Sequence, residues 1–227
     1  MKSYVIHFVR HGLTTENVQK KYTGQMDVHL SEEGVKNLET LRDKYDYPRG
    51  KLYFCSPLIR CKETLKILYN EDNFTTVDGL KECSFGDWED KSMADLVNDE
   101  TFKKWIKGDN DISPPNGESN NQFTSRIFNA FEKLVEDMMK KGDTSAVIVT
   151  HGGVILMLLS RYGIPKAEAH EWLVDNGCGY SIRITPGLWM RDKVFEIYDR
   201  IPKSYESDYD PEENYNNYFN LETDLSK

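Results

Sequence analysis

The sequence predicts an α/β fold, a three-layer sandwich with a mostly parallel central sheet and helices on both faces. Three observations carry this expectation. Short apolar, β-rich runs recur along the chain, the form taken by parallel strands buried on both sides. Between them lie segments whose apolar residues return every three or four positions, the period of a helix packed along one stripe. The two patterns alternate without any internal repeat, as strand–helix–strand crossovers require.

The elements follow in chain order. Tyr4–Val9 reads as the first strand. Ser31 is placed to cap a helix whose stripe is Val35, Leu38, Leu41 or Arg42, and Tyr45. Lys51–Cys55 is strand-like, and Ser56-Pro57 reads as an N-cap with proline at the first helical position. The stripe Leu58, Cys61, Leu65 and Leu68 continues that helix. A long helix is expected over about Ser119–Lys141, with Phe123, Ile127, Phe131, Leu134 and Met138 on one side and Gly142 as its stop. Ala146–Thr150 is a further buried strand. Gly152-Gly153 opens an apolar helix to about Arg161, and Gly163 and Pro165 punctuate the next turn. Tyr180–Thr185 and Val194–Tyr198 are expected as late strands joined through Pro186-Gly187.

Residues 1–202 form the predicted domain, followed at 203–227 by an acidic, Tyr- and Asn-rich tail. The net charge is -9, of which seven acids and two lysines place -5 in 203–227 and leave -4 for 1–202. No basic footprint of the size needed for nucleic acid is present. No apolar run approaches the roughly 18 residues of a membrane span. The opening apolar stretch is too short for a secretory segment, so a cytoplasmic location is expected. Cys55, Cys61, Cys83 and Cys178 lack CxxC spacing, which argues against a zinc site or a disulfide framework. No cofactor or metal is called for, and no pattern specifies an oligomeric state.

Chemistry-bearing residues gather where the chain leaves the predicted strands. Arg10-His11-Gly12-Leu13-Thr14 follows the first, Ser56-Pro57-Leu58-Ile59-Arg60 the second, and Thr150-His151-Gly152-Gly153 the later one. In an open α/β sheet the carboxyl ends of strands are where ligands bind. A fourth segment, Leu80-Lys81-Glu82-Cys83-Ser84-Phe85-Gly86-Asp87-Trp88, adds a carboxylate. Each alone is compatible with turn chemistry. Together they supply what phosphoryl transfer requires: two planar guanidiniums for the phosphoryl oxygens, an imidazole nucleophile, a second imidazole and a proton donor. His7, inside the first strand, reads as a packing residue, and His29 and His170 as solvent-facing or rim residues.

These motifs resemble the histidine phosphatase superfamily, the group containing cofactor-dependent phosphoglycerate mutases and alpha-ribazole phosphatases, over about residues 3–185. The resemblance implies that His11 is the nucleophile, that Arg10, Arg60 and His151 hold the phosphoryl group, and that Glu82 is the general acid. It also implies substrate contacts at Asn17, Thr23, Gly24 and Gly152, with Thr23-Gly24-Gln25 as a loop and Asn116-Gly117-Glu118-Ser119 preceding the long helix. The implied substrate is a small-molecule phosphomonoester, hydrolysed without metal through a phosphohistidine.

Between Glu82 and Glu118 the chain has Lys91, Lys103, Lys104 and Lys107 and no arginine. A paired-arginine insertion typical of the mutases is therefore missing, and Phe85-Gly86-Asp87-Trp88 looks more like the alpha-ribazole phosphatase branch. Phosphoglycerate mutase is the alternative, and a non-catalytic phospho-ligand binder is a third reading. The segment from about Trp88 to Pro115 is expected to cover the site. Its Phe102, Trp105 and Ile106 either wall the pocket or pack beneath it.

Overall fold

The computed structural model describes residues 2–205. Its strands are β1 (Tyr4–Arg10), β2 (Leu52–Cys55), β3 (Thr75–Thr76), β4 (Ser145–Thr150), β5 (Gly163–Ile164), β6 (Gly179–Ile184) and β7 (Phe195–Ile201). The helices are α1 (Thr15–Val18), α2 (Glu32–Lys44), α3 (Ile59–Tyr69), α4 (Met93–Leu96), α5 (Glu100–Ile106), α6 (Asn120–Lys141), α7 (Gly152–Tyr162) and α8 (Pro186–Asp192).

All seven strands form one sheet in the order β3-β2-β4-β1-β6-β7-β5. The pairings β2–β3, β2–β4, β1–β4 and β5–β7 are parallel, and those of β6 with β1 and β7 are antiparallel. The sheet is thus mostly parallel, as expected. Its two faces explain the unbroken apolar runs. Ile6, Phe8, Ala146 and Ile148 point into a core shared with Phe123, Ile127 and Phe131 of α6 and Val154, Ile155 and Leu158 of α7. Val9, Val147 and Val149 point the other way, against Leu38 of α2 and Cys61, Leu65 and Leu68 of α3. Successive strand residues alternate between faces, so a strand buried on both sides must be apolar throughout.

Two local expectations are corrected. Ser56 does not cap α3: the helix begins at Ile59, its cap position is Leu58, and the Ile59 N–H donates instead to the Asp27 carboxylate at 2.6 Å. Pro186-Gly187 does not join the late strands by itself but starts α8, where proline occupies the first turn and Trp189 packs into the core. The cap expected at Ser31 is present, as is the stop at Gly142, which adopts φ 77°, and Ser119 caps the long helix instead of opening it.

A third, smaller apolar cluster stands apart from the two sheet faces. Trp88, Leu96, Phe102 and Trp105 pack together with Tyr22, Phe85 and Ile106 around them. The covering segment therefore has its own core, and its two ends are bonded together at the base. The Glu118 N–H donates to Ser84 O and the Asp87 N–H to Pro115 O, each at 2.9 Å. The acidic tail lies, from residue 206 onward, outside the described residues. At its start, Tyr205 meets Tyr45 edge to face and donates to Asp175. No helix among the described residues is long and apolar enough to cross a membrane.

Candidate active site

The parallel register of β1 and β4 pairs Arg10 with Thr150, and the His11 N–H donates to Thr150 O at 2.9 Å. The residues that follow each strand, His11 and His151, therefore emerge side by side, with ring centroids 5.2 Å apart. β2 lies on the other side of β4, so the chain leaving it delivers Arg60 to the same edge. Glu82 arrives from beyond β3 through a short 3-10 turn, Asp78–Leu80. A cavity of about 200 Å³ opens among them, lined by Arg10, His11, Asn17, Thr23, Gly24, Arg60, Glu82 and Gly152. All of the sequence-selected residues except His151 line it.

His11 is buried, and its Nδ1 lies 2.7 Å from Gly12 O. A carbonyl only accepts, so Nδ1 carries the proton and Nε2 presents a bare lone pair. Burial first, then the Arg60 and Arg10 charges, hold the ring well below the usual imidazole range, so it is neutral at pH 7. Its loop is fixed from both sides. Thr64 Oγ1 accepts from the Gly12 N–H at 2.8 Å and donates to Arg60 O at 2.7 Å, and the Asn176 amide donates to His11 O at 2.8 Å.

Arg60 is almost wholly buried. Its Nη1 donates to Met26 O and one Nη2 proton to Gly24 O, each at 2.7 Å, and Nη2 also reaches His151 Nδ1 at 3.3 Å. Gly24 adopts φ 52°, a conformation that favours glycine, and this turns its carbonyl onto the guanidinium. Arg10 donates from Nη1 to Val174 O at 2.6 Å. The Nε atoms of both arginines are buried with no acceptor, as is Thr23 Oγ1.

His151 stands behind this layer. Because Arg60 can only donate, His151 Nδ1 accepts and Nε2 carries the proton, which it gives to Ser56 Oγ at 2.8 Å. Burial, with Arg60 as the next cause, keeps this ring neutral too. Ser56 is thus diverted from a helix cap to a buried imidazole partner.

Glu82 Oε2 accepts from the Gly153 N–H at 3.1 Å and Oε1 from its neighbour Cys83 at 3.0 Å. An N–H at the start of α7 is therefore taken up by a side chain of the site itself. Glycine at 153 leaves the carboxylate its place, since a Cβ there would lie 2.5 Å from Glu82 Oε1 and push it aside. Asn17 forms a capping box with Thr14 at the start of α1, which fixes its amide at the cavity wall. Gly152 runs close beneath Arg10, leaving 3.3 Å between a built Cβ and Nε.

The rest of the cavity wall is mostly apolar, formed by Tyr22, Phe85, Trp105, Phe123, Met157 and Leu173, with Asn120 as a polar member. The open choice for the covering segment thus resolves residue by residue. Trp105 lines the cavity, while Phe102 is fully buried beneath it and Ile106 packs against the same cluster. Lys21 also reaches the cavity, with its ammonium 2.7 Å from Asp90. His7 is a core residue bonded to Ser181 Oγ at 2.9 Å, and His29 faces solvent beside Glu63. Among the described residues no group of three or more His, Cys, Asp or Glu side chains is arranged to hold a metal ion.

Sequence reading did not single out Ser56 as a histidine partner, nor Thr64, Asn176 or Arg126. Thr64 carried a usable signal, lying one helical turn after Arg60 on the same face. Apart from the Arg126–Glu118 pair, eight positions apart, the other contacts span long stretches of chain that no local pattern links.

The chain is similar to known proteins along most of its length. The family model described as "Histidine phosphatase superfamily (branch 1)" matches residues 6–196. An adenosylcobalamin/alpha-ribazole phosphatase of Salmonella typhimurium is 29% identical over 186 residues, covering 79% of this chain and 90% of the relative. A 2,3-bisphosphoglycerate-dependent phosphoglycerate mutase of Xanthobacter autotrophicus is 26% identical, covering 74% and 88%. The crystal structure of the alpha-ribazole phosphatase from Shigella flexneri superposes with a TM-score of 0.72 at 26% identity, over 86% of this chain and 94% of that one.

Proposed function

The chain belongs to the histidine phosphatase superfamily, and on that premise we propose that it hydrolyses a small-molecule phosphomonoester through a phosphohistidine at His11. One observation carries the reading. Two guanidiniums, that of Arg60 wholly buried and that of Arg10 partly so, keep buried, unpaired Nε donors in a cavity that also holds a bare imidazole nitrogen and a carboxylate. Buried cationic donors without acceptors favour an anion that supplies several oxygens at once, and a phosphoryl group does so.

In the first step His11 Nε2 attacks phosphorus while Arg10 and Arg60 hold the equatorial oxygens. His151 orients Arg60 from behind and completes the clamp. The P–O bond to the alcohol breaks as Glu82 gives that oxygen its proton. Glu82, now a carboxylate, then takes a proton from water as the water attacks phosphorus and the P–N bond breaks. Inorganic phosphate leaves and His11 is neutral again. The guanidiniums carry the electrostatic stabilisation, so no step calls for a metal. Asn17, Thr23 and Gly152 line the phosphoryl end and complete its surround.

Water as the acceptor is favoured over a second hydroxyl of the same substrate by the mostly apolar wall. An isomerase acting on a phosphoglycerate must grip a carboxylate, and the wall here is mostly aromatic and aliphatic, with Lys21 engaged by Asp90. The same wall suits an alcohol with an apolar body, and alpha-ribazole 5'-phosphate is the first candidate suggested by the named relatives. The test is to incubate the protein with that compound and with 3-phosphoglycerate, scoring phosphate release, isomerisation and acid-labile label on the His11 peptide. Release with label on wild type and none on His11→Ala is expected. Isomerisation of 3-phosphoglycerate without phosphate release would overturn the reading.

A further inference from the structure

Glu82 sits on a segment that is itself neither strand nor helix. Residues 81–85 follow a single 3-10 turn and run on to another, and the Gly153 and Cys83 N–H groups grip only the carboxylate. Something else must fix the backbone, because an acid misplaced by about 1 Å forfeits most of its effect. We propose that Arg126 is a positioning residue that holds the general acid Glu82 at its place, acting through the backbone and never touching the substrate. This rests on the phosphatase reading above.

Arg126 lies in the second turn of α6, on the face turned toward this segment. Nη1 donates to Gly79 O at 3.1 Å and to Lys81 O at 3.0 Å. Nη2 donates to Glu82 O at 3.0 Å and to Glu118 Oε2 at 2.7 Å, and Nε to Glu118 Oε1 at 2.7 Å. A guanidinium has five N–H donors, and these five acceptors use all of them. Glu118 extends the grip, accepting from the Ser84 N–H at 2.9 Å, while the Gln25 amide donates to Glu82 O at 3.0 Å. The backbone is therefore held at Gly79, Lys81, Glu82 and Ser84, on both sides of the acid. Gly79 lets the segment lie flush on α6, since a Cβ there would collide with Ala130. Neither Arg126 nor Glu118 lines the cavity. Lysine cannot replace the fork, because a single ammonium does not span three carbonyls and a bidentate carboxylate.

The experiment compares two leaving groups of similar size. The phenolate of 2,4-dinitrophenyl phosphate departs without a proton, whereas the alkoxide of 2-phenylethyl phosphate requires one. Because kcat/KM reports only the steps through first phosphoryl transfer, the later hydrolysis does not mask the difference. Arg126→Lys is expected to lower the ratio of alkyl to aryl kcat/KM at least tenfold, and Glu118→Gln to lower it in the same direction. Glu82→Gln sets the full size of the effect. An unchanged ratio in both clamp variants, whether the two rates fall together or not at all, overturns the assignment and leaves Arg126 structural. If instead Glu82→Gln leaves the ratio unchanged, or wild type releases phosphate from neither compound, the reading of the site has failed and the assignment with it. Glu118→Gln reads the clamp from its other side should Arg126→Lys not fold.

Discussion

His11 and His151 meet edge to face with ring centroids 5.2 Å apart because Arg10 and Thr150 are register partners on adjacent parallel strands. Two residues 140 positions apart in sequence are thereby placed by backbone hydrogen bonds rather than by side-chain packing. The relationship makes both rings parts of one rigid edge, and the first prediction concerns their protons.

His11 is expected to stay neutral, protonated on Nδ1 and bare on Nε2, well below pH 6.5. Burial and the two arginines oppose a second proton, and Gly12 O holds the first. Two-bond 1H–15N spectra of histidine-labelled protein check this. A ring that becomes doubly protonated between pH 7 and 6 contradicts it.

Acid should destabilise the fold through the buried histidines. His7 is lowered by burial to about 4, against 6.5 for the free side chain. Between those values the unfolded chain binds a proton that the native one refuses. The stabilisation is therefore complete above pH 6.5 and is lost as pH falls toward 4, by up to about 1.4 kcal/mol per unit. Urea midpoints at pH 5 and 7 should differ less for His7→Gln than for wild type. His11 and His151, lowered in the same direction by burial, add to the remaining slope.

Gly153→Ala should injure catalysis far more than folding. The added methyl meets Glu82 Oε1 at 2.5 Å and Cδ at 3.2 Å, so the carboxylate must move. A fall of about 10–100-fold in kcat/KM for an alkyl phosphate is expected. Kinetics paired with a thermal melt would decide it, and undiminished turnover would place the acid elsewhere.

Trp88→Ala should loosen the covering segment alone. The indole is fully buried against Phe102 and Trp105 and donates to Asp99, and its loss costs about 3–5 kcal/mol in a packed setting. Hydrogen exchange should quicken at the amides of α4 and α5 while β1 and β4 keep their protection. Uniform quickening would mean that the small cluster is continuous with the main core.

The fold was legible in the chain wherever one local pattern decided an element. Val9, Val147 and Val149 could only lie in doubly buried strands, and the stripe from Phe123 to Met138 could only be a helix. The candidate site was legible because His11 and His151 stand directly after adjacent strands, where adjacency in the sheet becomes adjacency in space. Ser56 was misread because its hydroxyl had two available partners, a helix start and a buried imidazole. Only tertiary structure shows that Asp27 satisfies the helix instead. Arg126 was invisible for the same kind of reason, since its acceptors are mostly backbone carbonyls, which carry no sequence signature.

The covering segment has its own aromatic cluster and a hydrogen-bonded base, while the groups proposed to hold phosphorus lie outside it. On the proposed reading, choice of leaving group and phosphoryl chemistry are consequently carried by separate parts of the chain. Drift in Trp105 or its neighbours can retune which alcohol is accepted without disturbing the reactive centre. A graft of residues 85–117 from a relative is accordingly the natural unit for transplanting selectivity, and the junction to preserve is the pairing of Ser84 with Glu118.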